Sequence, residues 1–586
     1  MDADLNDPAL RARAIQAARG LAPFDVLITG AMLADVATGE LRPADIGLVG
    51  ALIASVHPAG SRSDATQCVD ARGQIAAPGL IDTHLHIESS MVTPRRYAET
   101  IVPQGTTTIC WDPHEVGNVM GLDGVRWAVQ AAADLPLRIL LLAPSCVPSA
   151  PGLERAGASF DGPEMATMLS WPEVIGVAEV MDMRGVLDGS ARMQAIVGAG
   201  LASQKLVCGH GRGLGGADLA GFAAAGIGSD HEITSGDDLL AKLRAGFTVE
   251  LRGSHDYVLP GVVQALATLP CLPPTLTVCT DDVFPDDLVN AGGMADVLKR
   301  LVGYGMPAMD ALRAATLHAA LRLNRNDLGL LAAGRRADIV LFEDLSAFRA
   351  ARVFVDGQDV ASALRLTIAL RADAVPLPPA SVKVPLLRAD DFRLRANGTS
   401  VRLRTVDKPR FTEWGETDAV VVDGVVQLPA DAVMMAVIHR HGRAAPTPVL
   451  GVLRFWGDWR GAVATTIAHD SHNLLVFGRD PADMAAAANA VIAAQGGVSV
   501  AQHGQVRALL KLPVCGLLSD APTADVAADF AALRRAAAEI ADWPPPLASI
   551  KSVFGSSLAC NPGPHVTDLG IADGTTGEVF ASAIVA

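Results

Sequence analysis

The chain has 586 residues, half of them hydrophobic, and a formal net charge of -16. This length exceeds what one hydrophobic core supports and predicts about three or four domains. The acidic balance argues against a nucleic-acid or anionic-membrane surface, because phosphate binding needs clustered Lys and Arg, and it favours a small-molecule partner. Neither a signal peptide nor an apolar run of membrane-spanning length is recognisable, so we expect a cytoplasmic protein.

The first eighty residues combine a helix with short β runs. Residues 8–20 are predicted to form a helix that ends at Gly20, and β runs then follow as far as Pro78. Two matching β runs, 337–342 and 351–357, appear only after position 330. A small β-sandwich that is interrupted by an inserted domain explains both sets.

Between the two sets, eight apolar strand candidates alternate with helix-length segments. They lie near residues 81–86, 106–112, 138–145, 174–180, 205–210, 226–231, 248–252 and 276–281. Eight such alternations over about 250 residues predict a (β/α)8 barrel, with functional groups at the C-terminal ends of its strands. The predicted fold class is therefore α/β, with a (β/α)8 barrel inserted in the small β-sandwich.

Side chains of metal-ligating type follow these strands at their C-terminal ends. His84 and His86 are one residue apart, a spacing that turns both imidazoles to the same side of a strand. Later strands end at Glu179, His210, His231 and Asp281. Any one of these is equally explained as a satisfied polar residue in a loop. Together, four imidazoles and two carboxylates suffice for two divalent cations, with one carboxylate free to bridge them.

The rest of the chain predicts a separate C-terminal α+β domain with helices near 480–495 and 523–541. Its densest polar cluster is His469-Asp470-Ser471-His472-Asn473, and both a structured loop and a lid over an active site stay open for it. The predicted domains are 1–77 (N-terminal helix and first part of the sandwich), 78–327 (barrel), 328–385 (second part of the sandwich) and 386–586 (C-terminal domain).

Several of these segments resemble the adenine deaminase family of the amidohydrolase superfamily, a group of metal-dependent hydrolases. The resemblance lies in Pro-Gly-Leu-Ile-Asp-Thr-His-Leu-His at 78–86, Asp-Pro-His-Glu-Val-Gly-Asn-Val at 112–119, Ala-Glu-Val-Met at 178–181, Gly-His-Gly at 209–211, Ser-Asp-His-Glu at 229–232, Leu-Arg-Gly-Ser at 251–254 and Thr-Asp-Asp at 280–282. It extends over nearly the whole chain, including the polar cluster of the C-terminal domain.

The resemblance implies a role for each of the six strand-end residues. His84 and His86 would hold one metal, and His210 and His231 would hold the other. Glu179 would bridge the two metals, and Asp281 would contact the first. The implied cofactor is a binuclear centre of Mn²⁺, with Fe²⁺ or Zn²⁺ as alternatives.

The implied reaction is hydrolytic deamination of adenine to hypoxanthine and ammonia by a metal-bound hydroxide, in purine salvage. Asp281 is predicted to accept the proton of the hydroxide and pass it onward. Glu232 is predicted to protonate N1 of the purine, with the orientation of His231 as its alternative role.

Two further groups of residues are predicted around the barrel mouth. The first either orients the ligands, contacts the purine edge or binds an extra metal, and it comprises Glu88, Asp112, His114 and Glu115. The second is predicted to contact the purine base and comprises Arg252, Ser254 and Asp282.

Other functions are also consistent with the sequence, because one barrel fold supports many reactions. They are hydrolysis of a cyclic amide or an N-acetyl group, deamination of a different base, and non-catalytic purine binding. The intact six-ligand set disfavours the last. We expect adenine as the partner, without nucleic acid or membrane, and a homo-oligomer.

Overall fold

The computed structural model describes residues 3–361, 375–409, 411–542 and 550–585. Three large sheets organise this part of the chain: an eight-stranded mixed sheet, an eight-stranded parallel sheet and a nine-stranded sheet. The predicted sandwich segment 328–385 and the predicted C-terminal domain each include residues outside this description, namely 362–374 in the former and 410, 543–549 and 586 in the latter.

The mixed sheet combines strands from both sides of the barrel. Its strands are Phe24–Asp35, Glu40–Val49, Leu52–Pro58, Ala65–Asp70, Ile75–Pro78, Ile339–Phe342, Ala350–Val355 and Gln358–Asp359. The two halves meet where Ile75–Pro78 pairs antiparallel with Ile339–Phe342. The N-terminal helix Pro8–Ala18 begins at Asp7, whose side chain accepts a hydrogen bond from the Ala9 amide, and it packs beside this sheet.

The parallel sheet is a nearly closed barrel. Its strands are Leu80–Leu85, Thr106–Trp111, Arg138–Ala143, Val174–Val180, Leu206–Gly209, Ser229–Asp230, Thr248–Arg252 and Leu276–Cys279. They are almost entirely buried, as expected for strands covered by helices on one side and by the barrel interior on the other. The ends of the first and last strands meet where the Asp281 amide donates to the His84 carbonyl at 3.1 Å. The predicted fold class is thus confirmed.

Helices surround the barrel and connect its strands. They are Pro94–Ile101, His114–Ala132, Gly162–Leu169, Met183–Leu187, Ala191–Ala202, Gly216–Ala224, Gly236–Arg244, Leu259–Leu266, Pro285–Asn290, Met294–Gly303, Ala308–Arg313 and Ala319–Arg322. A π turn, Ala314–His318, joins the last two, and 3-10 turns lie at Ile87–Ser90 and Val102–Gln104. No helix in the described part of the chain is both long and apolar enough to span a bilayer.

The C-terminal domain is built on the nine-stranded sheet. Its strands are Ser400–Asp407, Glu413–Val422, Val425–Val426, Ala432–Ile438, Val449–Arg454, Ala462–Thr465, Leu474–Gly478, Gly497–Gln502 and Gln505–Lys511. Two small sheets add Asp458–Trp459 with Ala541–Asp542, and Pro564–Val566 with Ile571–Asp573 and Val579–Phe580. The helices are Pro481–Ala493, Thr523–Ile540 and the short Lys551–Phe554, with a 3-10 turn at Ala389–Phe392.

The C-terminal domain packs directly on the barrel mouth. The Ser519 amide donates to the Met91 carbonyl at 2.8 Å, and the Thr93 amide donates to the Ser519 carbonyl at 3.1 Å. On another side, the Arg155 amide donates to the Asp568 carboxylate at 2.8 Å. The domain therefore contacts several of the loops that follow barrel strands, where the barrel carries its functional groups.

One buried carboxyl at this domain contact, that of Glu154, makes stability depend on pH. One oxygen of Glu154 accepts hydrogen bonds from Ser149 Oγ at 2.7 Å and from the Ala150 amide at 3.1 Å. Burial, reinforced by the charge of Asp470, raises the pKa of Glu154 from 4.5 to about 8. Because the folded state binds this proton more tightly than the unfolded state does, the stabilisation is complete below pH 4.5 and is lost as the pH rises through about 8.

We therefore expect Glu154→Gln, which cannot titrate, to gain stability relative to the wild type as the pH rises. Thermal unfolding followed by circular dichroism should give similar melting temperatures near pH 4.5 and a melting temperature several degrees higher for the variant near pH 9. A difference that stays constant across this range would contradict the assignment of the shifted pKa to Glu154.

Candidate metal centre and active site

The six predicted ligands converge at the C-terminal mouth of the barrel. All six side chains are buried, with the residues between 1% and 8% exposed. His84 is the penultimate residue of the first strand, and His86 directly follows that strand, so the two imidazoles face the barrel axis together. The other four residues lie in the fourth strand or within two residues after the fifth, sixth and eighth strands, and they are Glu179, His210, His231 and Asp281.

The two oxygens of Glu179 face different pairs of histidines. Oε1 lies 3.3 Å from His86 Nε2 and 3.9 Å from His84 Nε2. Oε2 lies 2.5 Å from His210 Nδ1 and 3.2 Å from His231 Nε2. One carboxylate therefore stands between the histidine pair of the first strand and the pair from the fifth and sixth strands, as a bridging ligand requires.

Asp281 supplies the second carboxylate of the centre. Its Oδ1 lies 3.6 Å from Nε2 of both His84 and His86 and 3.9 Å from Nε2 of His231. The backbone at Asp281 has φ 63°, in the left-handed region that Asp and Asn adopt more readily than most residues. This local conformation ends the last strand and turns the carboxylate toward the histidines.

These donors suit divalent cations. In the described part of the chain, neither ring nitrogen of His84 or of His231 has a hydrogen-bond partner, although both rings are buried. Three sets of potential ligands that include some of these six residues lie close enough to share one ion: His84 with His231 and Asp281, Glu179 with His210 and His231, and His86 and Glu179 with Asp112 and His114. Buried polar atoms without partners are costly, and imidazole and carboxylate are the donors that first-row divalent metals accept. The cluster fits a divalent metal centre.

The protonation of these histidines follows from burial and from the two carboxylates. Burial and the neighbouring His231 hold the pKa of His84 well below its ordinary value, so His84 is a neutral imidazole. Burial also lowers the pKa of His231, but the negative charge of Glu179, whose Oε2 lies 3.2 Å from His231 Nε2, outweighs burial and raises it to about 9. Without a cation, protons on histidine therefore balance part of the carboxylate charge, and a bound metal must displace them.

Arg252, after the seventh strand, joins the carboxylates on one side of the pocket. Its Nη2 lies 2.5 Å from Asp281 Oδ2 and 3.0 Å from Asp282 Oδ2, and its Nη1 contacts Glu232 Oε1. Ser254 Oγ accepts a hydrogen bond from Arg252 Nε at 2.6 Å and lies 3.0 Å from Asp281 Oδ2. The structure thus places the three predicted base contacts together, but it pairs them with one another.

Glu232 is held as a carboxylate. Burial raises its pKa, but the charges of Arg252 and His210 outweigh this effect and hold the pKa well below its ordinary value. Arg212, which was not predicted as a site residue, donates to Glu232 Oε2 at 2.7 Å. An ionised Glu232 can accept a proton before it donates one.

The four predicted neighbours of the ligands divide into two groups. Glu88 accepts hydrogen bonds from Trp111 Nε1 at 2.7 Å and from the Val116 amide at 3.3 Å, so it supports the second strand end and the helix after it. Asp112 uses its carbonyl to contact His86 Nδ1 at 3.2 Å and its carboxylate to contact His114 Nδ1 at 3.0 Å. His114 and Glu115 turn toward the C-terminal domain.

Residues of the C-terminal domain form a second wall of the pocket. His469 and Asp470 from the polar cluster line the pocket, together with Gly555, Leu558 and Asn561 of the same domain. Of the two interpretations of this cluster, the structure favours a loop that covers the site. The density of His, Asp and Asn in five residues was the available signal, but nothing local to the sequence indicated which surface the loop would contact.

Comparison with known proteins covers both parts of the chain. The Amidohydrolase family matches residues 75–360, and the Adenine deaminase C-terminal domain matches residues 409–578. Adenine deaminase 2 of Agrobacterium fabrum is 60% identical over 583 residues, which is 100% of this chain and 98% of the relative. Adenine deaminase of Klebsiella pneumoniae (strain 342) is 54% identical over 97% of this chain and 95% of that relative. Adenine deaminase of Moorella thermoacetica is 38% identical over 90% of each chain.

Proposed function

Since this chain belongs to the adenine deaminase family of amidohydrolases and hydrolyses adenine to hypoxanthine and ammonia, we propose that the six strand-end residues hold a binuclear metal centre that performs the reaction. His84, His86 and Asp281 hold one cation, and His210 and His231 hold the other. Glu179 bridges them. The observation that carries this assignment is that the two oxygens of Glu179 face the two histidine pairs separately.

Mn²⁺ is the proposed metal, since a mixed set of imidazole and carboxylate donors accepts it, and Fe²⁺ or Zn²⁺ would suit the same donors. When bound, such cations lower the pKa of a coordinated water from 15.7 toward 7 and so supply a nucleophile at neutral pH. The residues of the chain then need to hold the purine, exclude bulk water and move protons.

Two proton transfers complete the deamination, and two carboxylates are proposed to carry them. Addition of water at C6 places a proton on N1, and departure of the amino group as ammonia requires a second proton. Glu232 is ionised, so it can accept the first proton from the water and deliver it to N1. Asp281 accepts the second proton from the new hydroxyl group and passes it to the amino group, leaving the C6 carbonyl of hypoxanthine.

Arg252 contacts both proposed proton carriers, Glu232 and Asp281. It contacts Glu232 and Asp281 through different nitrogens, so it keeps both carboxylates on one side of the pocket. Asp282, fixed by Arg252 and by the Ser89 hydroxyl at 2.5 Å, is proposed to accept a hydrogen bond from the purine edge. Ser254 is proposed as a further contact to the base. His469 and Asp470 of the C-terminal domain also line the pocket and are proposed to restrict access of water to it.

A metal-dependence assay tests the proposed centre and its specificity. We expect chelator-treated protein to release no ammonia from adenine, and two equivalents of Mn²⁺ to restore the absorbance change from adenine to hypoxanthine. Cytosine, guanine, a hydantoin and an N-acetyl sugar should give no product under the same conditions. Full activity of metal-free protein would reject the metal centre, and turnover confined to an amide substrate would reject the specificity. Cytoplasmic location and homo-oligomeric assembly stay predictions from the sequence.

A further inference from the structure

A second cluster of metal-ligating side chains lies where the C-terminal domain meets the barrel. The barrel contributes His114 and Glu115, in the first turn of the helix His114–Ala132. The C-terminal domain contributes His469, Asp470 and His472, in the loop between Ala462–Thr465 and Leu474–Gly478. We call these five residues the interdomain cluster. None of them is one of the six ligands described above, although His114 Nδ1 lies 3.5 Å from Glu179 Oε1, so the two groups are adjacent.

The distances within the interdomain cluster suit a shared cation better than hydrogen bonds. Asp470 Oδ1 lies 3.6 Å from both His114 Nε2 and His469 Nδ1, and Glu115 Oε1 lies 3.8 Å from His469 Nδ1. Hydrogen bonds between nitrogen and oxygen are shorter than about 3.2 Å. Two ligands of one cation, each bound at about 2.0 to 2.2 Å, lie roughly 2.8 to 3.6 Å apart at octahedral to tetrahedral angles. The observed distances are close to this range, as is the 3.6 Å between His84 Nε2 and Asp281 Oδ1 in the six-residue centre.

Several atoms of the cluster are buried without partners. Among the described residues, no hydrogen bond reaches His114 Nε2, Glu115 Oε1 or Asp470 Oδ2. All three residues are at most 2% exposed. A proton on His469 would add a donor next to the carboxylates, but it would leave His114 Nε2 without a partner. A cation satisfies the nitrogen and both carboxylates together, which removes the cost of burying them unpaired.

Neighbouring residues orient the cluster toward a common point. The Asp112 carboxylate lies 3.0 Å from His114 Nδ1, which leaves His114 Nε2 free to act as a ligand. A carboxylate behind a ligating histidine is the usual support for a metal site. His472 Nδ1 accepts a hydrogen bond from the Ala468 amide at 3.2 Å, so a neutral His472 carries its proton on Nε2. That nitrogen lies 3.6 Å from Glu115 Oε2, too far for a hydrogen bond, and it has no hydrogen-bond partner among the described residues.

We propose that the interdomain cluster binds a third divalent cation, Zn²⁺. This cation would link the loop of the C-terminal domain to the barrel. Its ligands are His114, Glu115 and His469, whose donor atoms lie within 4.8 Å of one another, with Asp470 completing the set. Two imidazoles with carboxylates form a donor set typical of zinc sites. Because the ligands come from two domains, the cation stabilises the covered form of the pocket.

Metal analysis of the full-length protein tests this proposal without any substrate, so its outcome is separate from that of the deaminase assignment. The protein is saturated with Mn²⁺ and Zn²⁺, excess metal is removed, and the bound metal is measured by elemental mass spectrometry. We expect three cations per chain in the wild type and two in His469→Asn. His469 has the most exposed side chain of the cluster, 22%, so its replacement leaves the core packing intact. Exposed His503 provides the control, and His503→Asn should retain three cations.

A second measurement follows the loop itself. Hydrogen exchange of peptides that cover residues 466–474 should slow when Zn²⁺ is added to the manganese-loaded wild type and should not change in His469→Asn. A wild type that binds no more than two cations at saturating Zn²⁺ would overturn the proposal. Retention of the third cation by His469→Asn would overturn it as well. So would hydrogen exchange of residues 466–474 that does not change when Zn²⁺ is added to the wild type.

Discussion

Replacing Glu179 with Gln is expected to strip the barrel of most of its bound metal and to lower kcat/KM for adenine by ~10³-fold or more, beyond the 10- to 100-fold typical of an outer partner. The carboxylate places one anionic oxygen toward His84 and His86 and the other toward His210 and His231. An amide of the same shape has one neutral oxygen and one NH2 group. It can therefore neither bridge two cations nor balance their charge.

The matched control for this variant is Glu154→Gln, which makes the same chemical change at another buried glutamate of the barrel domain. Glu154 contacts Ser149 and the Ala150 amide and lies outside the set of residues that line the pocket. Metal content by elemental analysis and the adenine assay should be close to wild type in the control, and circular dichroism should show both variants folded. Undiminished metal content relative to the wild type together with full turnover in Glu179→Gln would reject the bridging assignment.

The barrel was predictable because its signals are local. Most of the strands are short and largely apolar, and several ligands come at the end of such a run, as in Val174-Ile175-Gly176-Val177-Ala178-Glu179. The observed fourth and seventh strands, Val174–Val180 and Thr248–Arg252, have the predicted bounds. Because parallel strands in a barrel end at one mouth, residues far apart in sequence had to converge. Topology therefore supplied the long-range contacts that pattern alone cannot give.

No comparable rule predicts which residues of the C-terminal domain contact the barrel. His469 and Asp470 reach the pocket through the docking of one domain on another, and no periodicity in the sequence encodes where two domains meet. Arg212 was missed for a similar reason, since an arginine in a glycine-rich loop gives no sign that it will contact Glu232. Arg252 was predicted as a base contact, but the structure also shows it as the cation that holds the carboxylates in place.

The second large effect is expected at Glu232. Glu232→Gln should lower kcat for adenine by about 10²- to 10⁴-fold, the range typical of general acid-base groups, while the metal content stays at two cations in the barrel centre. The isosteric amide keeps a contact with Arg252 but cannot accept the proton of the attacking water or hand it to N1. Steady-state kinetics combined with elemental analysis measures both quantities on one preparation, with Glu154→Gln again as the control.

Measuring the metal content of Glu232→Gln distinguishes the two proposed roles of Glu232, proton transfer and orientation of the histidine ligands. If Glu232 only orients the second histidine pair, its loss should release metal, and the fall in rate should be recovered by excess Mn²⁺. His210 Nε2 lies 3.9 Å from Glu232 Oε1, so such an influence is within reach. If Glu232 carries a proton, added metal cannot replace it, since the lost step is a transfer to N1 of the purine. A variant with full metal content and a near wild-type kcat would exclude both roles, and the proton carrier would then have to be sought among Asp281 and Asp282.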